Sequence, residues 1–134
     1  MIYIKKKYYF YAGHRNKDAG EKCGRLHGHT YDVVCTFKFT EMKNGVTMLF
    51  SDIDKIAEPI IKYYDHHFLV YKDDPLKELL DLSNEPYREL PFETSAENLA
   101  IWIFNIIAEQ LPIVRIELSE TKSSTVIYEP EDNN

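Results

Sequence analysis

His27-Gly28-His29-Thr30-Tyr31-Asp32-Val33-Val34-Cys35-Thr36-Phe37-Lys38-Phe39 places His27, His29, Tyr31, Val33, Cys35, Phe37 and Phe39 on odd positions. A period of two sustained over that length is the pattern of a long strand with one face against a core. Upstream, Ile2, Ile4, Tyr8, Phe10, Ala12 and His14 occupy even positions, so the first fourteen residues read as another half-buried strand, interrupted by Lys6. Between the two, Asn16 to Gly24 is polar and contains Gly20 and Gly24, which makes it a loop. Downstream, Lys43-Asn44-Gly45 supplies a turn, and Val46 to Phe50 is expected to continue the sheet.

The pattern then becomes helical. Ser51 is a candidate N-cap for a helix whose Ile53, Ile56, Ala57, Ile60, Ile61 and Tyr64 share one face, with Pro59 expected to kink it. Asp73 to Pro91 mixes acids, prolines and leucines without a sustained period and is expected to be an ordered loop with room for one short helical turn. Thr94 and Glu97 form a capping box ahead of Leu99, Trp102, Ile103, Ile106 and Ile107, the inner face of a second helix stopped by Pro112. Val114, Ile116 and Leu118 alternate with Arg115, Glu117 and Ser119 as a third strand, and Thr125 to Tyr128 gives a short fourth. An acidic tail follows, with residues 130–134 expected to be disordered. The order is that of an α+β domain with two helices on one face of a four-stranded antiparallel sheet. Open edges on so small a sheet favour oligomerisation.

The 134 residues fit a single domain, 1–134, without repeat or linker. A hydrophobic share of 44% and a charged share of 28% allow a core and argue against a disordered chain. The net charge of −6 opposes general nucleic-acid binding, which draws on clustered Lys and Arg. No apolar run approaches the ~20 residues of a membrane span, and Met1-Ile2-Tyr3-Ile4-Lys5-Lys6-Lys7 lacks the features of an export signal, so no membrane partner and a cytoplasmic location are expected. With only Cys23 and Cys35 present, no disulfide framework is expected.

The chemistry concentrates in Cys23-Gly24-Arg25-Leu26-His27-Gly28-His29 and the earlier Gly13-His14-Arg15. In a strand, residues i and i+2 point the same way with roughly 6.6 Å between α-carbons, so His27 and His29 can converge on one ion. His14 ends the first strand on its patterned face and supplies a third nitrogen if the strands pair antiparallel. Three neutral imidazoles suit a catalytic Zn²⁺ with one position left open, against the plainer reading of core or hydrogen-bonding histidines. Cys23 is a fourth ligand, an inert thiol, or a base; nearby Lys22, Arg25 and a metal would favour its thiolate, and the base is the preferred reading. Cys35, between Val33 and Phe37, reads as a small core residue. Asp65-His66-His67 is either a helix-ending cap or an imidazole oriented by a carboxylate for proton transfer. Glu120, at the end of the third strand, says little by itself.

Taken together, Phe10-Tyr11-Ala12-Gly13-His14-Arg15, Cys23 to His29, Asp65-His66-His67-Phe68-Leu69, Ser95-Ala96-Glu97-Asn98-Leu99 and Glu120-Thr121 resemble, in order and over nearly the whole chain, the 6-pyruvoyltetrahydropterin synthase superfamily. The three-residue gap between Cys23 and His27 is similar to its bacterial 6-carboxytetrahydropterin synthase branch, of queuosine biosynthesis. Gly13, Leu49 and Val70 depart from the usual pattern, where Ala or Ser, Asp, and Asn are frequent.

The resemblance implies the tunnelling fold: one four-stranded sheet and two helices per subunit, three subunits closing a twelve-stranded barrel, and two trimers stacked as a hexamer. It also implies a zinc-dependent lyase acting on 7,8-dihydroneopterin triphosphate. His14, His27 and His29 would hold the metal, and Cys23 would be the base, completed by Asp65 and His66 from a neighbouring subunit. Glu120 would anchor the pterin's amino and ring NH groups, and Ser95 would keep a hydroxyl contact to the pterin. Arg15, Lys17, Lys22 and Arg25 offer a local basic patch for the triphosphate. Carbon–carbon cleavage releasing acetaldehyde distinguishes the carboxy branch, and the pyruvoyl branch stops after triphosphate elimination. The rival of another class is a non-catalytic zinc-binding assembly protein in which Cys23 closes a structural site.

Overall fold

The computed structural model describes residues 1–131; the disordered tail expected from residue 130 lies, from residue 132 onward, outside the described residues. The elements run β1 (Ile2–His14), β2 (His27–Phe39), α1 (Phe50–Lys62), β3 (His67–Tyr71), α2 (Leu76–Leu82), β4 (Tyr87–Leu90), α3 (Ala96–Ala108), β5 (Ile113–Thr121) and β6 (Ser124–Tyr128). They form one sheet in the order β4-β3-β1-β2-β5-β6. No helix among the described residues is long and apolar enough to cross a membrane.

β1 and β2 pair antiparallel along their whole length, from Ile2 opposite Phe39 to His14 opposite His27. Their alternation is the one read from the sequence: Tyr8, Phe10, Ala12 and His14 are buried on β1, and Tyr31, Val33, Cys35 and Phe37 on β2. Phe10 and Tyr31 stack with centroids 4.7 Å apart. Lys6 does not interrupt the strand, because its Nζ reaches Asp54 Oδ2 of α1 at 3.2 Å while Tyr8 donates its hydroxyl to Asp54 Oδ1 at 2.7 Å. A charge on the inner face is thus neutralised across the layer.

The antiparallel four-stranded sheet is present as β1, β2, β5 and β6. The structure adds two strands to it: β3 pairs parallel with β1, and β4 parallel with β3. It also adds α2, so Asp73 to Pro91 is a helix and a strand rather than a loop. Both are short, and Tyr87-Arg88-Glu89-Leu90 has too few apolar residues to show a period; pairing with β3 decides its state. α2 is held from below by a small cluster of Val70, Leu76 and Leu80 with Phe68 and Tyr87.

Three boundaries differ from the sequence reading. Val46 to Phe50 adds no strand: a Lys43–Val46 bridge closes the expected turn, with Asn44 at φ 55, and Phe50 already opens α1. Ser51 lies inside α1, whose N-cap is Leu49 without a side-chain cap bond. The cap of α3 is Ser95, whose Oγ accepts from Asn98 N at 3.2 Å, not Thr94. α3 ends at Ala108, ahead of Pro112, and α1 runs through Pro59 to Lys62.

The two long helices cover the inner face of the sheet. Ile53, Ala57 and Ile61 of α1 and Leu99, Ile103 and Ile107 of α3 join Phe10, Tyr31, Val33, Phe37, Ile116 and Leu118 in one core. Each of these residues is fully buried. A core of this kind fixes the ends of β1, β2 and β5 relative to one another, and the candidate site is built there.

Candidate metal centre and active site

Antiparallel register brings His14 at the end of β1 beside His27 and His29 at the start of β2. The three rings sit edge to face, with centroids 4.7 Å apart for His14–His27 and His27–His29 and 5.2 Å for His14–His29. β5 contributes Glu120, two residues beyond the buried Leu118 and therefore on the same inner face. One ligand atom from each of His14, His27, His29 and Glu120 can be chosen so that all four lie within 4.8 Å of one another.

The hydrogen bonds set the tautomers. His14 Nδ1 lies 2.7 Å from the Thr94 carbonyl oxygen, and His27 Nδ1 lies 2.7 Å from that of Arg25. A carbonyl can only accept, so both Nδ1 atoms carry hydrogen, and in the neutral form of each ring the lone pair is on Nε2. His14 Nε2 and His29 Nε2 are buried without a hydrogen-bond partner. Each nonetheless lies close to Glu120 Oε2, at 3.3 Å and 2.8 Å. Burial, with the neighbouring His14 and His27 and against the pull of Glu120, lowers the His29 pKa and keeps that ring neutral. Among the described residues, Glu120 is the one acidic group facing these rings. Imidazole lone pairs and a carboxylate facing one point are the donor set of a divalent cation such as Zn²⁺, so these residues fit the metal and could bind it.

Cys23 is exposed in the β1–β2 loop, and its sulfur lies outside this group. The loop is folded tightly beneath it: Asn16 N donates to Cys23 O at 2.7 Å and Gly24 N to Gly20 O at 2.9 Å. A β-carbon at Gly24 would stand 2.6 Å from Gly20 O, so only glycine fits beside the cysteine. Arg25 is exposed, with Glu21 3.9 Å away as its weak partner. Arg15 is committed elsewhere, since its guanidinium holds both carboxylate oxygens of Asp74. That removes Arg15 as a free cation from the patch read in the sequence and leaves Lys17, Lys22 and Arg25.

Asp65 and His66 form a pair, with Asp65 Oδ2 and His66 Nδ1 3.0 Å apart. Asp65 Oδ1 accepts from Tyr11 N at 2.8 Å, and His66 N donates to Tyr11 O at 2.7 Å. These bonds hold His66 at φ 60, an uncommon conformation for a residue with a β-carbon. The His66 ring packs on Tyr11, whose side chain alternates to the sheet face opposite that of Ala12 and His14. There, Tyr11, Gly13, Thr30, His66 and Phe68 line a cleft of about 450 Å³, which His29 also borders. Within one chain the exposed His66 ring thus lies with Tyr11, while the Nε2 atoms of His14 and His29 are buried on the inner side of the strands. The departure at Gly13 has its reason here, because a β-carbon would lie 2.7 Å from the Phe68 ring.

Two residues of the site are not among those singled out from the sequence. Thr94 is buried and its Oγ1 also faces His14 Nδ1, at 3.2 Å, so the hydroxyl read as a helix cap serves a histidine instead. Asp74 ties α2 to the strand end at Arg15 and accepts from Leu76 N at 2.9 Å. For Thr94 the signal is a second hydroxyl, Ser95, able to take the cap; for Asp74 the sequence carries none.

A family model described as 6-pyruvoyl tetrahydropterin synthase matches residues 3–131. The 6-carboxy-5,6,7,8-tetrahydropterin synthase of Haemophilus influenzae is 31% identical over 140 aligned positions, covering 96% of this chain and 99% of that one. Among solved structures, an uncharacterized protein from Wolinella succinogenes superposes with a TM-score of 0.83 at 19% identity over 97% of this chain and 98% of that one. The 6-pyruvoyl tetrahydropterin synthase of Caenorhabditis elegans does so with a TM-score of 0.72 at 17% identity over 97% and 96%. The fold is thus the tunnelling fold, and with residues 3–131 matched the chain belongs to the 6-pyruvoyl tetrahydropterin synthase family.

Proposed function

We propose that the protein converts 7,8-dihydroneopterin triphosphate to 6-carboxy-5,6,7,8-tetrahydropterin with release of acetaldehyde and triphosphate, in the queuosine and 7-deazaguanine route. The observation that carries this reading is the convergence of the two buried, partnerless Nε2 atoms of His14 and His29, beside His27, which lies four residues after a cysteine in a tightly folded loop. Likeness over nearly the full length to a relative of that name supports the carboxy branch.

In this reading His14, His27 and His29 hold Zn²⁺, which when bound supplies a Lewis acid to the substrate's side-chain hydroxyls. Cys23, as thiolate, takes a proton from the side chain of the substrate. Asp65 accepts from His66 Nδ1 and so leaves Nε2 to give or take a proton on the other side. Because the exposed His66 ring lies with Tyr11, away from the buried Nε2 atoms of its own histidines, the pair serves the site of a neighbouring copy in a trimer or hexamer. Glu120 offers two acceptor oxygens to the amino and ring NH donors of the pterin. Ser95 accepts from Asn98 N yet keeps its own O–H free for the pterin. Arg25, exposed beside the cysteine loop, faces the triphosphate.

The test is to incubate zinc-loaded protein with 7,8-dihydroneopterin triphosphate and assay acetaldehyde with the pterin product. Acetaldehyde with the 6-carboxy product supports the proposal. Triphosphate release with a pyruvoyl product moves the protein to the other branch of its family, and zinc binding without turnover favours an assembly role.

A further inference from the structure

We infer that Glu120 is a fourth, displaceable ligand of the metal ion, closing the site while no pterin is bound and leaving the ion when a pterin edge arrives. The inference rests on the proposed function for the pterin half of the exchange, and on geometry alone for the metal half.

The contacts of Glu120 are those of a co-ligand and not of a hydrogen-bonded ion pair. Its Oε2 lies 2.8 Å from His29 Nε2 and 3.3 Å from His14 Nε2. Neither nitrogen has a hydrogen-bond partner, so the groups are close without being aligned on each other. Groups aimed at a common centre have this relation, since each points at the centre and none at its neighbour. In the neutral ring, the Nδ1 bond of His14 to a carbonyl leaves the Nε2 lone pair toward the carboxylate. Two acceptors at that distance repel unless a cation lies between them.

The backbone around Glu120 suits a side chain that must serve two positions. The β5–β6 register shifts between Ser119 and Thr121, with Ser119 opposite Thr125 and Thr121 opposite Ser124. Glu120 therefore lies in a bulge, where the ladder lapses and a side chain can be re-aimed. The bulge is pinned beside it by the Ser119 Oγ–Thr125 Oγ1 bond of 2.7 Å. The carboxylate keeps 27% of its surface exposed, unlike His14 at 0%. Its opening to solvent is where a pterin edge can reach it. A carboxylate that turns both oxygens to the two donors of that edge is drawn off the ion, so pterin binding exchanges one for the other and frees a coordination position only when substrate is in place.

The experiment measures zinc affinity by competition with a chromophoric chelator and records the visible spectrum of the Co²⁺-loaded protein, for the wild type, Glu120→Gln and Glu120→Ala, with and without neopterin as the probe. Without neopterin, both variants are expected to bind zinc about 10–100-fold more weakly, the scale of loss for removing a metal-site partner, and to show altered Co²⁺ bands. Saturating neopterin is expected to shift the wild-type bands toward those of the variants. Variants with wild-type zinc affinity and spectrum overturn the ligand role. Wild-type bands unchanged at neopterin saturation, followed by pterin fluorescence, overturn the exchange. A wild type that binds no metal overturns the proposed function itself, a separate result.

Discussion

His14 Nδ1 donates to the carbonyl oxygen of Thr94, 80 positions later in the chain, at 2.7 Å. The Thr94 hydroxyl reinforces the contact, facing the same nitrogen at 3.2 Å and donating to Arg15 O at 3.3 Å. One buried threonine thus sets the tautomer and the orientation of a candidate metal ligand. Thr94→Val keeps the carbonyl and removes the hydroxyl. Zinc affinity is expected to fall about tenfold, the low end of the range for such partners, with a loss of about 1 kcal/mol in urea unfolding. Thr94→Ser should restore both, and a valine variant with unchanged zinc affinity would remove the hydroxyl from this role.

Cys23 gives a prediction that separates catalysis from metal binding. Its sulfur lies outside the His14, His27, His29 and Glu120 group, and it is exposed. Cys23→Ala is expected to keep zinc stoichiometry and to change stability by less than about 0.5 kcal/mol. Turnover should fall about 10²–10⁴-fold, the usual contribution of a positioned base. Loss of zinc together with loss of assembly would favour the structural account of the cysteine.

The histidine cluster was legible because strand alternation and antiparallel pairing are local rules with few alternatives, and they place His14, His27 and His29 together without further information. Glu120 belongs to the same rule: extending the period of Ile116 and Leu118 by one step brings it to the inner face. β3 and β4 were not legible, and of α2 only room for a short helical turn was, because segments of four to seven residues take their state from tertiary partners. Thr94 illustrates a third case. Its sequence context satisfies a capping box, yet burying an unpaired imidazole nitrogen would be more costly than moving the cap one residue to Ser95.

Asp74 ties α2 to the site through Arg15, and it should make stability depend on acid. The Arg15 hydrogen bonds, with that from Leu76 N and against burial, hold the Asp74 carboxyl below its ordinary range. A carboxylate with a depressed folded pKa stabilises above the unfolded value, and that contribution disappears as pH falls through the folded one. Asp74→Asn is therefore expected to be less stable than the wild type by about 1.5–3 kcal/mol at pH 7 in urea titrations. The gap should close as the solution is taken below the ordinary carboxylate range. A gap independent of pH would mean that Asp74 acts by shape alone.

The two faces of the sheet give the prediction that decides whether active sites are shared. Asp65 and His66 sit with Tyr11 on the side away from His14, and the His66 side chain is 75% exposed. His66→Asn suits the test because asparagine tolerates the φ of 60 found there. Alone, His66→Asn and Cys23→Ala should each be nearly inactive. If Cys23 of one subunit works with His66 of the next, mixing the two variants after dissociation and reassembly restores about a quarter of the sites, those pairing an intact cysteine with an intact histidine. If both residues serve a site within one chain, every site stays defective whatever the mixture. Recovery of turnover on mixing, measured against each variant reassembled alone, distinguishes the two, and a failure to recover would place the Asp65–His66 pair outside the catalytic machinery of its neighbour.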